Sequence, residues 1–129
     1  MTTLTANQAE QLAQEFQNCA NAIDDRLETD WKTLDDTDQQ TLISQAQQIQ
    51  AKASLFANQA VGMILDETKD ALGQISKATA TGKSAIEYMQ TVDKVISVAG
   101  SLVDLGTAIA SKDPVASLKA AETLLDQVT

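Results

Sequence analysis

The chain of 129 residues has no histidine, one cysteine, one proline and only four aromatic residues. Without an imidazole there is no Ser-His-Asp or Cys-His catalytic arrangement and no His-containing zinc site. One cysteine excludes an intrachain disulfide and a multi-cysteine metal site. The single arginine, Arg26, argues against recognition of a phosphate backbone, which needs clustered Lys and Arg. We therefore expect no enzyme, no cofactor, no metal and no nucleic-acid partner.

The residues that are abundant favour helix. Twenty Ala and fourteen Gln accompany a hydrophobic fraction of 43%, which is enough for a packed core. The length fits a single domain, 1–129. The net charge is −9, and residues 1–51 carry −7 of it, from nine acids and two bases. This acidic half could attract a basic partner, although acidic side chains also keep a small bundle in solution.

Two helix starts precede long apolar stripes. Thr5 and Gln8 form a capping-box sequence that predicts the first helix, with an end between residues 28 and 34. Residues 35–38, Asp-Asp-Thr-Asp, are strong N-cap types and predict the second start. We expect one long helix from about 38 to 79 rather than a kink between Gly62 and Asp66, because a glycine inside a helix costs only about 1 kcal/mol. The two stripes are Ala9, Leu12, Phe16, Cys19, Ile23 and Leu27, then Leu42, Ala46, Ile49, Ala53, Phe56, Ala60 and Met63.

The second half predicts two further helices. Gly82 is expected to end the long helix, and Ser84 with Glu87 forms another capping-box sequence that would open a helix over 84–111. That helix carries two adjacent apolar seams, so it should lie at the centre of a bundle. Asp113-Pro114 predicts a short last helix, with an apolar stripe that begins at Val115. The expected fold is an all-α antiparallel bundle of three long helices plus one short C-terminal helix.

Three local patterns suggest chemistry, and each has a simpler explanation. Residues 81–84, Thr-Gly-Lys-Ser, resemble the end of a phosphate-binding loop, but Lys77 stands where the first glycine of that loop belongs. The acids from Asp24 to Asp38 lack the central glycine of a calcium loop and are better explained as caps and solvated charge. Cys19 lies on the first apolar stripe, where a cysteine acts as a small core residue.

The second helix is predicted to present an interaction surface. Lys52 is the only charged residue between Gln39 and Leu65, so the outer face is neutral and rich in Gln. The first function hypothesis is a non-enzymatic helical interaction module, a scaffold, adaptor or inhibitor-like subunit, that pairs with itself or with a partner helix. We expect a homo-oligomer or an unidentified protein partner. The residues predicted for this contact are Gln40, Gln47, Gln50 and Gln59.

The alternative hypothesis is a conditionally membrane-active protein, similar in behaviour to helical pore formers, that uses residues 92–111. This segment has about the length of a bilayer span, but Asp93, Lys94 and Asp104 make a constitutive span unfavourable. A bundle would therefore hide the helix and release it on a trigger. The membrane-facing residues would be Val95, Val98, Leu102, Leu105 and Ile109.

The N-terminus and the lone cysteine bear on the compartment. Residues 1–6 contain no basic region and no apolar run, so we expect no signal peptide. A single cysteine is compatible with a reducing cytoplasm but would be tolerated elsewhere. The cytoplasm is the favoured expectation.

Overall fold

A computed structural model describes residues 2–3, 5–58, 64–65, 71–89 and 91–128, and it is helical apart from one short strand pairing. In that pairing, two-residue strands β1 (Thr2–Thr3) and β2 (Ile64–Leu65) run antiparallel. A short 3-10 turn covers Trp31–Thr33. The helices are α1 (Ala6–Asp30), α2 (Asp36–Asn58), α3 (Ala71–Tyr88), α4 (Val92–Ala110) and α5 (Pro114–Val128).

The start of α1 confirms the predicted capping box. The backbone N–H of Gln8 donates to Thr5 Oγ1 at 3.1 Å, and the backbone N–H of Thr5 donates to Gln8 Oε1 at 2.9 Å. The two bonds satisfy groups that the first turn of a helix leaves unpaired. The helix ends at Asp30, inside the expected interval, and every residue of its predicted apolar stripe is buried.

The start of α2 confirms the second predicted cap. The carboxylate of Asp35 accepts a hydrogen bond from the backbone N–H of Asp38 at 2.8 Å. The described part of the α2 stripe, from Leu42 to Phe56, is buried. Phe16 of α1 and Phe56 of α2 meet edge to face with ring centroids 5.4 Å apart, which joins the two stripes in one core.

The single long helix over 38–79 is wrong. Helix α2 ends at Asn58, β2 pairs with β1 at Ile64–Leu65, and α3 begins only at Ala71. The partner of β2 lies at the other end of the sequence, so the local apolar period could not reveal this interruption. Ala60 and Met63, two members of the predicted stripe, lie outside the described residues.

The predicted helix boundary at Gly82 and Ser84 is also wrong, because both residues lie inside α3. A Cβ built on Gly82 would come within 3.3 Å of the Leu102 side chain. The glycine therefore permits a close approach between α3 and α4 rather than ending a helix. Helix α3 ends at Tyr88 and α4 begins at Val92, so the predicted helix over 84–111 is divided between α3 and α4.

The cross-helix contacts show how the helices run. Arg26 of α1 contacts Ile86 of α3, and Cys19 contacts Thr79, so these two helices are parallel. Gln45 of α2 contacts Ile96 of α4, and a Cβ on Gly106 would lie 3.0 Å from Lys52 Cγ. Helices α2 and α4 are therefore parallel too. The structure thus differs from the predicted bundle in having five helices and parallel as well as antiparallel neighbours, because two helical hairpins pack side by side.

Helix α5 packs against both α3 and α4. Its start confirms the predicted Asp113-Pro114 boundary, since Asp113 Oδ1 accepts a hydrogen bond from the Ala116 N–H at 3.0 Å. Of the predicted stripe, Ala121 is buried as expected, but Val115 is 75% exposed, and the buried leucine is Leu124 rather than Leu125. Helices α3 and α4 share the central position that was predicted for one helix over 84–111. Helix α4 packs against α2, α3 and α5, and α3 packs against α1, α4 and α5.

Candidate interaction surface

The outer side of α2 presents the predicted glutamines to solvent. Gln40, Gln47 and Gln50 are exposed, and Gln59 lies outside the described residues. Lys52 is half-buried, with its stem against Gly106 of α4. The exposed side of α2 beyond Asp38 is therefore uncharged as far as Asn58, where the described part of this segment ends.

Helix α1 extends this neutral surface, which sequence reasoning did not recognise. Gln14 Nε2 donates to Asn18 Oδ1 at 2.9 Å, and Gln17 Nε2 donates to Asn21 Oδ1 at 3.0 Å. These i to i+4 amide pairs lie along the helix, as the helical period requires. The repeated spacing of Gln11, Gln14, Asn18 and Asn21 is the sequence signal for this surface, and it runs beside the apolar stripe of the same helix.

A polar surface groove of about 760 Å³ lies between α1 and α2. Among its described lining residues, Glu10 is the only one with a charge. Amides from both helices contribute to its walls, namely Asn7, Gln11, Gln14, Gln17 and Asn58. We call the exposed glutamines of α2 together with these groove amides the amide face.

A second, smaller groove of about 380 Å³ lies between α2 and α4 and reaches α5. Gln45 Nε2 donates to the backbone oxygen of Ile96 at 3.0 Å, whereas Gln45 Oε1 is buried without a hydrogen-bond partner in the described part of the chain. Gln127 of α5 bonds to Ser97 and accepts a hydrogen bond from Ser101 at 2.6 Å. These bonds join three helices by side-chain amides that the sequence did not single out.

The acids gather at the opposite end of α2 from Asn58. This acidic end combines the C-terminal turns of α1 with the N-terminal turns of α2 and α4, and its members are Asp24, Asp25, Glu28, Asp30, Asp35, Asp36, Asp38 and Asp93. The pKa of Asp38 is raised by desolvation and by the negative charges of Asp35 and Asp93, which brings α4 into the same cluster. This end is therefore negative even with the bases Arg26, Lys32 and Lys94, whereas Glu10 is the only charged residue among the described lining of the groove in the amide face.

Arg26 binds the acidic end of α1 to the end of α3. Its Nη1 donates to the Ile86 oxygen at 2.8 Å, its Nη2 donates to the Met89 oxygen, and its Nε pairs with Asp30. The last carbonyls of a helix have no partner within the helix, so this guanidinium acts as a cap from a neighbouring element. The sequence pattern of α1 does not indicate this capping role of Arg26, because its partners lie about sixty residues away.

Cys19 is confirmed as a core residue. Its side chain is fully buried, and Sγ lies 3.5 Å from the Thr79 backbone oxygen. Burial, reinforced by the negative charge of Glu15, raises the pKa of this thiol to about 12. A thiolate is needed for nucleophilic chemistry, so the arrangement gives Cys19 no reactivity in the folded chain at neutral pH.

The other candidate sites predicted from the sequence take ordinary structural positions. Lys83 of the Thr-Gly-Lys-Ser pattern pairs with Glu87 on the surface of α3. Asp35 serves as a helix cap. Within the described ranges, no three Asp, Glu or Cys side chains come together in an arrangement that could hold a metal ion.

The five residues proposed for membrane contact all lie in the core. Val95, Val98, Leu102, Leu105 and Ile109 are each at most 1% exposed. Contact between these side chains and lipid would therefore require α4 to leave the bundle. None of the described helices combines the length and apolar character needed to cross a bilayer.

No protein-family model, curated protein or solved structure matches the chain.

Proposed function

We propose that this protein is a non-enzymatic helical interaction module, a scaffold, adaptor or inhibitor-like subunit, that associates with a second copy or with a partner helix through the amide face. The observation that carries the proposal is an amide face whose groove has Glu10 as its only charged lining residue among those described, on a chain with a net charge of −9. Two copies that approach through their acidic ends would repel each other. The amide face carries few charges, so two copies that approach through it would repel each other less.

The chemistry of the amide face supports pairing with itself. Each Gln or Asn side chain carries both a donor and an acceptor, so the same surface can satisfy its own copy across a two-fold axis. The groove between α1 and α2 also offers room for side chains of a partner helix. An amide surface depends less on salt than an ionic one, because its contacts are not screened.

The test is the mass of the chain in solution, measured by size-exclusion chromatography with light scattering over a dilution series. A variant with Gln47→Glu and Gln50→Glu places like charges in the contact. We expect its dissociation constant to rise by at least about tenfold, which corresponds to about 1.4 kcal/mol. Circular dichroism should show an unchanged helical fold, since both side chains are exposed.

The matched control is Lys77→Gln with Lys119→Gln, which changes the net charge equally on the exposed sides of α3 and α5. This control should associate as the native chain does. Equal weakening in both double variants would assign the effect to net charge. Unchanged association in the Gln47 and Gln50 variant would remove the amide face as the contact.

A further inference from the structure

Two of the four aromatic residues are exposed at the acidic end. Tyr88 is 77% exposed and Trp31 is 45% exposed, whereas Phe16 and Phe56 are in the core. Tyr88 is the last residue of α3, and Trp31 follows directly after α1. Exposed Tyr, Trp and Met are typical of protein interfaces rather than of a solvated surface. The acidic end therefore has exposed aromatic rings in addition to its negative charge.

Tyr88 belongs to the wall of a hollow of about 390 Å³ between the ends of α1 and α3. We call it the α1/α3 hollow. The lining residues are Ala22, Asp25, Arg26, Thr29 and Asp30 from α1, then Glu87, Tyr88 and Met89 from the end of α3. An aromatic ring, a thioether, three carboxylates and one guanidinium thus face one space. That set can accommodate a side chain with an apolar stem and a positive head.

The one cation among the described lining residues, Arg26, already has partners. The guanidinium of Arg26 is bound to Asp30 and to backbone oxygens at the end of α3. Glu87 pairs with Lys83 on the outside of α3. Asp25 forms no hydrogen bond or ion pair with any residue that the structure describes. Its carboxylate therefore remains available beside the exposed ring of Tyr88.

We propose that the α1/α3 hollow binds a basic segment of a partner protein, with a Lys or Arg side chain between the Asp25 carboxylate and the Tyr88 ring. The excess of acids at this end attracts such a segment. A cation against an aromatic ring adds a contact that is specific to the hollow. A second copy of this chain is a poor occupant, because its own net charge of −9 would be repelled here.

The probe is a short capped peptide that alternates Lys and Ala, labelled for fluorescence anisotropy and titrated with the full chain. A peptide with Glu in place of Lys serves as the reference for charge sign. We expect binding of the Lys peptide only, and weaker binding at higher salt. Asp25→Asn and Tyr88→Leu should each weaken it by about two- to fivefold, whereas Tyr88→Phe should keep the native affinity.

The matched control is Asp104→Asn, which removes one exposed carboxylate from α4 at a position outside the hollow. Native affinity in this control, with loss in Asp25→Asn and Tyr88→Leu, supports the hollow as the site. If Asp25→Asn and Asp104→Asn weaken the affinity for the Lys peptide equally, or if Tyr88→Leu binds with native affinity, the proposal is overturned. General charge attraction would then explain the binding. Absence of binding to the Lys peptide would also overturn the proposal. Gln47 and Gln50 do not line the hollow, so this result is independent of the association test.

Discussion

The thiol of Cys19 illustrates how a residue's surroundings decide its chemistry. It lies between Phe16 and Ile23 on the buried stripe of α1, against the Thr79 carbonyl oxygen of α3. The period of the apolar residues was enough to place it in the core. The raised pKa follows from that burial, and it has a consequence for stability in alkaline solution.

We expect the free energy of unfolding to fall as pH rises above about 9. The folded thiol keeps its proton up to a pKa of about 12, whereas the unfolded thiol, with its ordinary pKa of 9.0, loses it. The unfolded state then binds fewer protons, and the slope approaches about −1.4 kcal/mol per pH unit. Urea unfolding between pH 8 and 10, compared with Cys19→Ala, measures this contribution as the difference in slope. Parallel slopes would show that the thiol is not the cause.

Lys112 adopts a backbone conformation that favours glycine. Its φ is 60°, and it stands just after α4 in a Schellman arrangement. There the Lys112 N–H donates to the Ile109 oxygen at 3.0 Å and the Asp113 N–H to the Ala108 oxygen at 3.4 Å. A side chain in this region is strained, because its Cβ crowds the backbone. Sequence analysis identified the start of α5 here but not the left-handed residue before it.

Replacement Lys112→Gly should therefore stabilise the protein by about 0.5–1 kcal/mol. The same change at Lys119, exposed in the middle of α5, should destabilise it by about 1 kcal/mol, because glycine there loses helix propensity. Urea unfolding followed by circular dichroism measures both. A loss of stability in Lys112→Gly would contradict the assignment of strain.

The elements themselves are held by contacts between distant parts of the chain. Helix α3 ends where Arg26 of α1 binds its last carbonyls, and this contact spans about sixty residues of sequence. Gly82 lets α3 approach Leu102 of α4. Both features concern pairs of helices. The residue pattern within one helix therefore cannot predict either contact. The local conformational preference of Gly82 predicts a helix end, whereas its role depends on a residue of another helix.

We expect Arg26→Lys to destabilise the protein by about 2 kcal/mol. Lysine retains the charge but cannot present several donors in a planar fork to Asp30 and the end of α3. Lys32→Met, at an exposed position in the turn after α1, is the control and should change stability by less than about 0.5 kcal/mol. Native stability in Arg26→Lys would show that charge alone is sufficient.

The acidic end and the amide face lie on different parts of the molecular surface. Acids occupy the end where α1 and α3 finish, and the amide face covers the outer sides of α1 and α2. The charge imbalance between residues 1–51 and the rest of the chain already indicated an acidic half. Seven of the eight acids at this end lie within residues 24–38, around the turn between α1 and α2, and only Asp93 is brought there by the packing of α4.

Membrane activity through α4 stays a prediction at this scale. Because its five apolar residues are in the core, the hypothesis predicts no leakage of anionic liposomes at neutral pH and leakage when acid neutralises the carboxylates. Asp104→Asn should then cause leakage at a higher pH than the native chain. Dye release measures this, with Asp126→Asn on α5 as a control of equal charge change. Absence of dye release from the native chain and from both variants down to mildly acid pH would exclude membrane activity through α4.

The sequence by itself determined the helical class, the caps at Thr5, Asp35 and Asp113, and the buried stripes of α1 and α2. These features depend on residues within one or two helical turns of each other, which a linear pattern displays. Tertiary structure alone decided the end of α2 at Asn58, the end of α3 at Tyr88 and the side-by-side packing of two hairpins. Each of these depends on groups from distant segments, such as the pairing of β1 with β2 and the bonds of Arg26 to α3. Burial and hydrogen bonding between such segments outweigh the local preference of a continuous apolar period.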